Sequence, residues 1–167
     1  MIILGLDPGY AIIGYGIIEK TGSKITPISY GAITTKANTP LASRLSNINH
    51  DIKKLLSKYT IEQVAIEDLF FNKNTKTAMA VAQARGVLVT AAYDACKKVY
   101  SYTPPEIKSG VTGYGQATKS QIQYMVTKLL NLPSPPKPDD TADALAVAIC
   151  HANSHKLKYI TMQSSSK

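Results

Sequence analysis

The spacing of apolar residues changes along this chain, and that change restricts the folds it can adopt. Apolar runs of strand length cover residues 2–7, 12–19 and 25–35, and a Thr-Gly-Ser-Lys turn separates the last two. This pattern predicts three antiparallel strands at the start of the chain. From residue 41 onward, leucine and isoleucine recur at helical spacing instead. The change from one period to the other predicts a mixed α/β fold.

The rest of the chain predicts helices that alternate with strands. The expected elements are a helix from a Thr39-Pro40 cap to about Tyr59, a strand at about 62–69, a helix at 75–96, a strand at 99–103, a helix from the cap Thr118 and a last helix at about 140–154. We expect Pro104-Pro105 to stop the strand at 99–103 and the glycine-containing region 106–117 to be partly loop. The order predicts a five-stranded mixed sheet flanked by helices on both faces. We expect one domain, 1–154, and a flexible C-terminal tail, 155–167.

The balance of charge favours an anionic partner. The 167 residues carry 19 Lys and Arg against 11 Asp and Glu, a net charge of +8. Such a surplus points to nucleic acid first and an anionic membrane second. No apolar stretch has the length of a bilayer span, and the N-terminus lacks the cationic region of a signal peptide. We therefore expect a cytoplasmic protein without a membrane partner.

Four of the few carboxylates stand at the edges of the predicted apolar elements. Asp7 ends the first run, Glu67 directly follows a strand-like run, and Asp140 and Asp143 open the last helix. Strands 1 and 4 can be parallel neighbours in such a sheet, which would bring Asp7 and Glu67 to one edge. The i, i+3 spacing puts Asp140 and Asp143 on one side of their helix.

Close carboxylates raise one another's pKa, and divalent cations remove that conflict. Incomplete sites made of oxygen ligands suit Mg²⁺, which keeps several waters and borrows phosphate oxygens from a substrate. Two such ions about 3.5–4 Å apart support in-line phosphoryl displacement. The four acids therefore predict a two-Mg²⁺ site that acts on a polyanion.

Taken singly, most of these acids have an ordinary structural explanation. An aspartate before Pro-Gly, as at Asp7, often serves only to form a turn. Asp139 or Asp140 would be a common helix cap. Glu67 is harder to explain, because an acid at the end of a buried strand costs free energy unless it is compensated. The four positions together favour the site.

Five short blocks, three of which contain these acids, follow one another in a fixed order. They are Gly5-Leu6-Asp7-Pro8-Gly9 with Gly14-Tyr15-Gly16; Ala65-Ile66-Glu67-Asp68-Leu69-Phe70; Gln83-Ala84-Arg85-Gly86; Lys119-Ser120-Gln121; and Asp140-Thr141-Ala142-Asp143-Ala144-Leu145-Ala146. Together they resemble the RuvC Holliday junction resolvases of bacteria, from residue 2 to about 153. One block alone would be weak support, whereas five collinear blocks at compatible spacings are specific.

The resemblance implies an RNase H-like fold, a homodimer and Mg²⁺-dependent paired nicking of four-way junction DNA. It also suggests coupling to the RuvA–RuvB branch-migration complex. By motif match, Asp7, Glu67, Asp140 and Asp143 are the catalytic, metal-binding acids. Asp139 stays open as an alternative to Asp140, because it lies i, i+4 from Asp143. We expect hydrolysis to leave 5′-phosphate and 3′-hydroxyl ends.

The resemblance also implies DNA contacts. Lys119 matches a basic residue expected near the scissile phosphate, Lys108 matches another, and Phe70 matches an aromatic expected at the junction centre. Lys73 and Lys76 flank the loop after strand 4 and are candidate backbone contacts. Solvated lysines in an exposed loop explain those two equally well.

Further expectations concern the helix at 75–96. Arg85 lies in an apolar stretch, where a structural ion pair is the expected role. Asp68, beside Glu67, is expected to point to the other face of its strand and to be solvated. The helix carries more apolar residues than one sheet face needs, so we expect it to contribute to the dimer surface.

Other functions share some of these features. An actin-like or sugar-kinase ATPase also has Asp-x-Gly after its first strand, but it needs two lobes and this chain supplies one. Another RNase H-like nuclease, or a transposase core, would act on a different substrate geometry. A non-catalytic DNA-binding module would explain the charge but not the placement of four acids.

Overall fold

A single mixed sheet forms the centre of the molecule. The computed structural model describes residues 1–69, 75–96 and 98–164. The strands are β1 (Ile2–Asp7), β2 (Ile12–Thr21), β3 (Lys24–Thr34), β4 (Gln63–Glu67) and β5 (Val99–Tyr102). Their order in the sheet is β3-β2-β1-β4-β5. β1 is antiparallel to β2 and parallel to β4, which confirms the expectation that strands 1 and 4 are parallel neighbours.

Helices cover both faces of this sheet. They are α1 (Leu41–Lys58), α2 (Thr75–Cys96), α3 (Pro104–Thr112), α4 (Lys119–Leu129) and α5 (Asp139–Ser164). Alternate residues of β1 point to opposite faces, so Leu4 and Leu6 pack with α1 and α2, whereas Ile3 packs with α3, α4 and α5. Each face of the sheet thus has its own buried apolar cluster, and the predicted two-sided architecture is confirmed.

Glycines let α5 lie directly on the sheet. A side-chain carbon added at Gly5 would stand 2.7 Å from the amide nitrogen of Ala148, and one at Gly14 would stand 2.5 Å from the carbonyl carbon of Asp140. Neither position has room for even an alanine. The small residues of α5 complete the close approach, since Ala144 and Ala148 are fully buried. The first turns of α5 are therefore seated against β1 and β2.

The prediction that region 106–117 is partly loop missed a helix. α3 covers Pro104–Thr112, and the prolines expected to stop the preceding strand occupy its first turn. Thr103 and Glu106 form a reciprocal capping box, and Gly113 closes the helix in the left-handed conformation with φ of 75°. Thr-Pro-Pro-Glu was the signal for this helix start, and it was interpreted only as a strand terminator.

Two helix ends also differ from expectation. α1 begins after Pro40, and the Thr39 hydroxyl donates to the carbonyl of Lys36 at 2.8 Å rather than capping the helix. The last helix does not end near residue 154 but continues to Ser164, so most of the expected flexible tail is helical. No helix in the described part of the chain is long and apolar enough to cross a membrane.

Candidate active site

The sheet register brings Asp7 and Glu67 to the same edge. Leu6 pairs with Ile66 in the parallel β1–β4 ladder, so the two acids follow side by side at the carboxyl ends of central strands. Asp7 also pairs with Gly14 of β2, and the backbone of Asp140 packs directly against Gly14. The close seating of α5 therefore places its first turns, with Asp140 and Asp143, beside the two strand acids.

A cleft of about 240 Å³ opens beside these acids. Its polar lining consists of Asp7, Glu67, Asp143, Lys108 and Lys119. Apolar walls come from α3, α4 and α5 through Pro104, Ile107, Ile122 and Ala146. The helix that sequence reasoning missed, α3, thus supplies one wall and one of the two cations.

Burial and mutual repulsion change the protonation of the acids. Burial, followed by the charges of Glu67, Asp143 and Asp140, raises the pKa of Asp7 to about 8. The pKa of Glu67 rises to about 7, again chiefly through burial and then through the charge of Asp143. Burial also raises the pKa of Asp143, although Lys119 opposes that change. The cleft is thus an electrostatically unfavourable place for carboxylates in the absence of a cation.

Lys119 partly offsets that repulsion. Its ammonium nitrogen lies 3.1 Å from a carboxylate oxygen of Asp143 and 3.6 Å from one of Asp139. Partial burial lowers its pKa, but the bonds to these aspartates outweigh that effect and leave the pKa raised. The capping box of Thr118 and Gln121 holds the helix end that carries the lysine. Lys119 is therefore a protonated cation at the mouth of the cleft.

The geometry separates Asp139 from Asp140. Asp139 is an exposed residue whose carboxylate pairs with Lys137 at 2.9 Å, and this pairing holds its pKa below the usual range. Asp140, in contrast, contributes to the raised pKa of Asp7. The charge of Asp140 therefore acts on the strand acid Asp7, whereas Asp139 pairs with Lys137 and Lys119.

The donor set fits a hard divalent cation. Within residues 1–69, 75–96 and 98–164, no three acidic, histidine or cysteine side chains are gathered closely enough to hold an ion by themselves. Mg²⁺ does not need such a cage, because it commonly takes one or two carboxylates and completes its shell with waters and phosphate oxygens. Carboxylates with raised pKa that share an open cleft suit that mode of binding.

Arg85 ties the strand carrying Glu67 to α2. Its guanidinium donates to the carbonyl oxygen of Glu67 at 3.1 Å, to Asp68 at 2.5 Å and to the hydroxyl of Ser101 at 2.7 Å. The ion pair expected for Arg85 is confirmed. The expectation that Asp68 is simply solvated was wrong, because Asp68 is the partner in that pair. Sequence position alone did not indicate that Arg85 reaches the backbone of a candidate catalytic residue.

Three predicted DNA contacts cannot be placed. Phe70 and Lys73 lie outside the described residues. Lys76 lies in α2, but its side chain is not among those that the structure describes. Of the predicted DNA-contacting residues, Lys108 and Lys119 are the two that the structure brings to the acidic cleft.

An RNase H-like sheet with a carboxylate cleft at the carboxyl ends of β1 and β4 defines a nuclease of the RNase H-like class. Comparison with known proteins then narrows the class. The family model described as "Crossover junction endodeoxyribonuclease RuvC" matches residues 3–151. The chain belongs to the RuvC family.

Relatives and solved structures agree with that assignment. The chain is 56% identical over 158 residues to the crossover junction endodeoxyribonuclease RuvC of Clostridioides difficile, covering 95% of this chain and 94% of the relative. It is 54% identical over 157 residues to that of Halothermothrix orenii, with 94% and 95% covered. The structure of Thermus thermophilus RuvC in complex with Holliday junction substrate superimposes with a TM-score of 0.88 at 32% identity, covering 94% of this chain and 96% of that one.

Proposed function

We propose that this protein is a structure-selective endonuclease that resolves Holliday junctions by paired symmetric nicks during homologous recombination and DNA repair. The observation that carries the proposal is the cleft in which half-buried acids and the cations Lys108 and Lys119 meet. Cleavage at a nucleic-acid phosphate requires cations that attract the phosphate and acids that hold a metal ion beside it. The similarity to Thermus thermophilus RuvC, solved with a Holliday junction, supports the choice of substrate.

The four acids would hold the catalytic metal. Asp7 and Glu67 extend from hydrogen-bonded central strands, and Asp140 and Asp143 extend from the closely seated start of α5. When bound, two Mg²⁺ ions per site would lower the pKa of the attacking water and neutralise charge on the leaving oxygen, which leaves 5′-phosphate and 3′-hydroxyl ends. These elements would keep the four carboxylates within reach of a phosphate in the cleft.

Lys119 would change partners when DNA binds. In the free protein its ammonium pairs with Asp143 at 3.1 Å. Metal bound at the acids would weaken that attraction and leave the ammonium to pair with the scissile phosphate, where it stabilises the charge that develops in the transition state. Lys108 lines the same cleft from α3 and would contact the strand from the neighbouring helix.

A homodimer would place two such clefts on two strands of like polarity. The outer side of α2 offers a surface for it, because Met79 is 72% exposed and Tyr93 is 54% exposed. Gly86 lies between them along the helix, and an added side-chain carbon there would meet nothing within 4 Å. A glycine inside a helix costs about 1 kcal/mol relative to alanine. Close approach of a second copy would account for Gly86.

The remaining assignments follow from the same proposal. Residues 1–154 would contain the whole nuclease domain, since the family match ends at residue 151. Phe70, Lys73 and Lys76 would contact the junction next to Glu67. The protein would act in the cytoplasm, with the RuvA–RuvB complex as its partner in branch migration.

A substrate comparison tests the proposal. The protein is incubated with Mg²⁺ and a synthetic four-way junction, a linear duplex of the same sequence, or an RNA–DNA hybrid. We expect symmetric nicks in the junction and none in the linear duplex. Cleavage of the hybrid alone would instead identify another RNase H-like nuclease. Lys53→Ala serves as a charge control, because Lys53 is exposed on α1 and does not line the cleft.

A further inference from the structure

A third cation, besides Lys108 and Lys119, is held at the edge of the sheet where the acids lie. In the register across the sheet, Asp7 of β1 pairs with Gly14 of β2, and Gly14 pairs with Ala32 of β3. Thr35 follows the end of β3, and Tyr10 follows Asp7 by three residues, so both lie at that edge. Arg44, in the first turns of α1, contacts both of them.

The guanidinium of Arg44 is fixed in orientation. Its central carbon lies 4.4 Å from the centre of the Tyr10 ring, a cation–π contact. Its Nε donates to the Thr35 hydroxyl at 2.8 Å, and that hydroxyl donates in turn to the carbonyl oxygen of Tyr10 at 2.7 Å. The Thr35 amide also donates to the carbonyl of Ala11 at 3.0 Å, which anchors the threonine itself. The Tyr10 ring, the Thr35 hydroxyl and the backbone carbonyls of Tyr10 and Ala11 thus form one connected support for the Arg44 guanidinium.

The outer nitrogens of the same guanidinium are not used by this support. Among the hydrogen bonds and ion pairs of the described residues, the Arg44 side chain contributes only through Nε. A guanidinium offers five N–H donors in a planar fork that suits two oxygens of one phosphate. Orienting the fork in advance reduces the side-chain entropy lost when a ligand binds.

The position of Arg44 complements that of Lys119. α1 packs on the face of the sheet that also carries α2, whereas α3 and α4, with Lys108 and Lys119, pack on the opposite face. The acids at the sheet edge therefore have cations on both sides. β3 lies two strand spacings, about 10 Å, from β1.

We propose that Arg44 binds a backbone phosphate of the DNA strand being cut, on the side of the acids opposite Lys119, with Tyr10 and Thr35 holding its guanidinium in place. This inference rests on the proposed junction-cleaving function. The contact is to the phosphodiester backbone and is independent of sequence. Arg44 and Lys119 would together set the path of the strand across the carboxyl edge of the sheet.

The test measures junction binding in EDTA over a range of salt concentrations. For Arg44→Ala, we expect affinity to fall about tenfold or more, as for the loss of a charged hydrogen bond. The slope of log affinity against log salt should become shallower by about 0.9, the value of one phosphate contact. Lys53→Ala removes the same charge from the exposed side of the same helix and should leave both quantities unchanged.

Substitutions at Tyr10 separate orientation from charge. Tyr10→Phe keeps the ring beneath Arg44 and should bind like the unaltered protein. Tyr10→Leu removes the aromatic face and should lose part of the affinity, although every charge is kept. Arg44→Lys should not restore full affinity, because an ammonium neither stacks nor binds two oxygens in a planar fork.

Two results would overturn the inference. Equal salt slopes for Arg44→Ala and Lys53→Ala would show that Arg44 adds only to the general charge. Equal affinities for Tyr10→Phe and Tyr10→Leu would show that the support is irrelevant to DNA. Melting temperatures of all variants verify folding, and Tyr10→Leu and Arg44→Lys keep the test valid if Arg44→Ala is unstable. Junction cleavage by the unaltered protein is measured in parallel, so failure of the proposed function is seen separately.

Discussion

Replacing Gly14 with alanine should damage the site more than the fold. The added methyl would overlap the carbonyl oxygen of Asp140 and stand 2.5 Å from its carbonyl carbon. Carbon atoms in contact prefer a separation of about 3.5–4.0 Å, so the backbone must yield by about 1 Å. β2 is hydrogen-bonded on one side to β1 and on the other to β3. The start of α5 is therefore the part that moves, and it carries Asp140.

The expected magnitudes follow from that displacement. A shift of about 1 Å in a group that must hold the reacting atoms costs about 100-fold in rate. Overpacking of this kind costs about 1–3 kcal/mol of stability, which leaves an ordinary domain folded. The measurements are single-turnover cleavage of a four-way junction at saturating protein and urea denaturation of the same preparation. We expect Gly14→Ala to bind the junction and to cut it about 100-fold more slowly.

Two other glycines provide matched controls. A side-chain carbon at Gly16 would stand 2.7 Å from the flexible end of Leu145, two residues beyond Asp143, so Gly16→Ala should lose stability with a smaller loss of rate. One at Gly115 would meet only the carbonyl of Pro105 at 3.6 Å, an ordinary contact, so Gly115→Ala should change neither quantity. A folded Gly14→Ala protein that cuts at the unaltered rate would refute the argument that close seating of α5 positions the acids.

Three further perturbations probe other contacts. Asp7→Asn should abolish cutting but keep junction binding. Because the folded-state pKa of Asp7 is raised to about 8, its charge opposes folding as pH rises from about 4 to 8. In EDTA, the gain in stability of the variant against urea should therefore grow over that range. A constant gain would contradict this assignment. Burial lowers the pKa of His151 to about 3, and its ring is hydrogen-bonded to the Tyr102 hydroxyl at 2.8 Å. The stability that His151 contributes is therefore present above about pH 6.5 and lost as pH falls toward 3. His151→Gln should flatten that part of an acid denaturation curve, and an unchanged curve would show that His151 does not control it. Arg85→Lys keeps a charge but loses the guanidinium that joins the Glu67 carbonyl to Asp68 and Ser101, so half-maximal cleavage should require more Mg²⁺ while junction affinity stays the same. An unchanged Mg²⁺ titration would leave Arg85 a purely structural role.

Local chemistry predicted most of the fold. In the part of the chain that the structure describes, period-two and helical spacing located all five strands and four of the five helices, because those patterns depend on near neighbours along the chain. The missed helix, α3, was also locally encoded, since Thr103 and Glu106 form its capping box. It was missed because two prolines were taken only as a strand terminator, although proline is favoured in the first turn of a helix.

The sequence by itself determined which residues were unusual, namely acids at the ends of apolar elements and the collinear blocks that carry them. It left Asp139 and Asp140 unresolved, because both can share a helix face with Asp143. Only the tertiary structure shows how their surroundings differ, since Asp139 pairs with Lys137 and Lys119 whereas the backbone of Asp140 packs against Gly14 beside Asp7. Packing of this kind joins residues far apart in the chain, and no local pattern encodes it. The raised pKa values of the acids and the support beneath Arg44 have the same origin, since burial and cross-element contact exist only once the chain has folded.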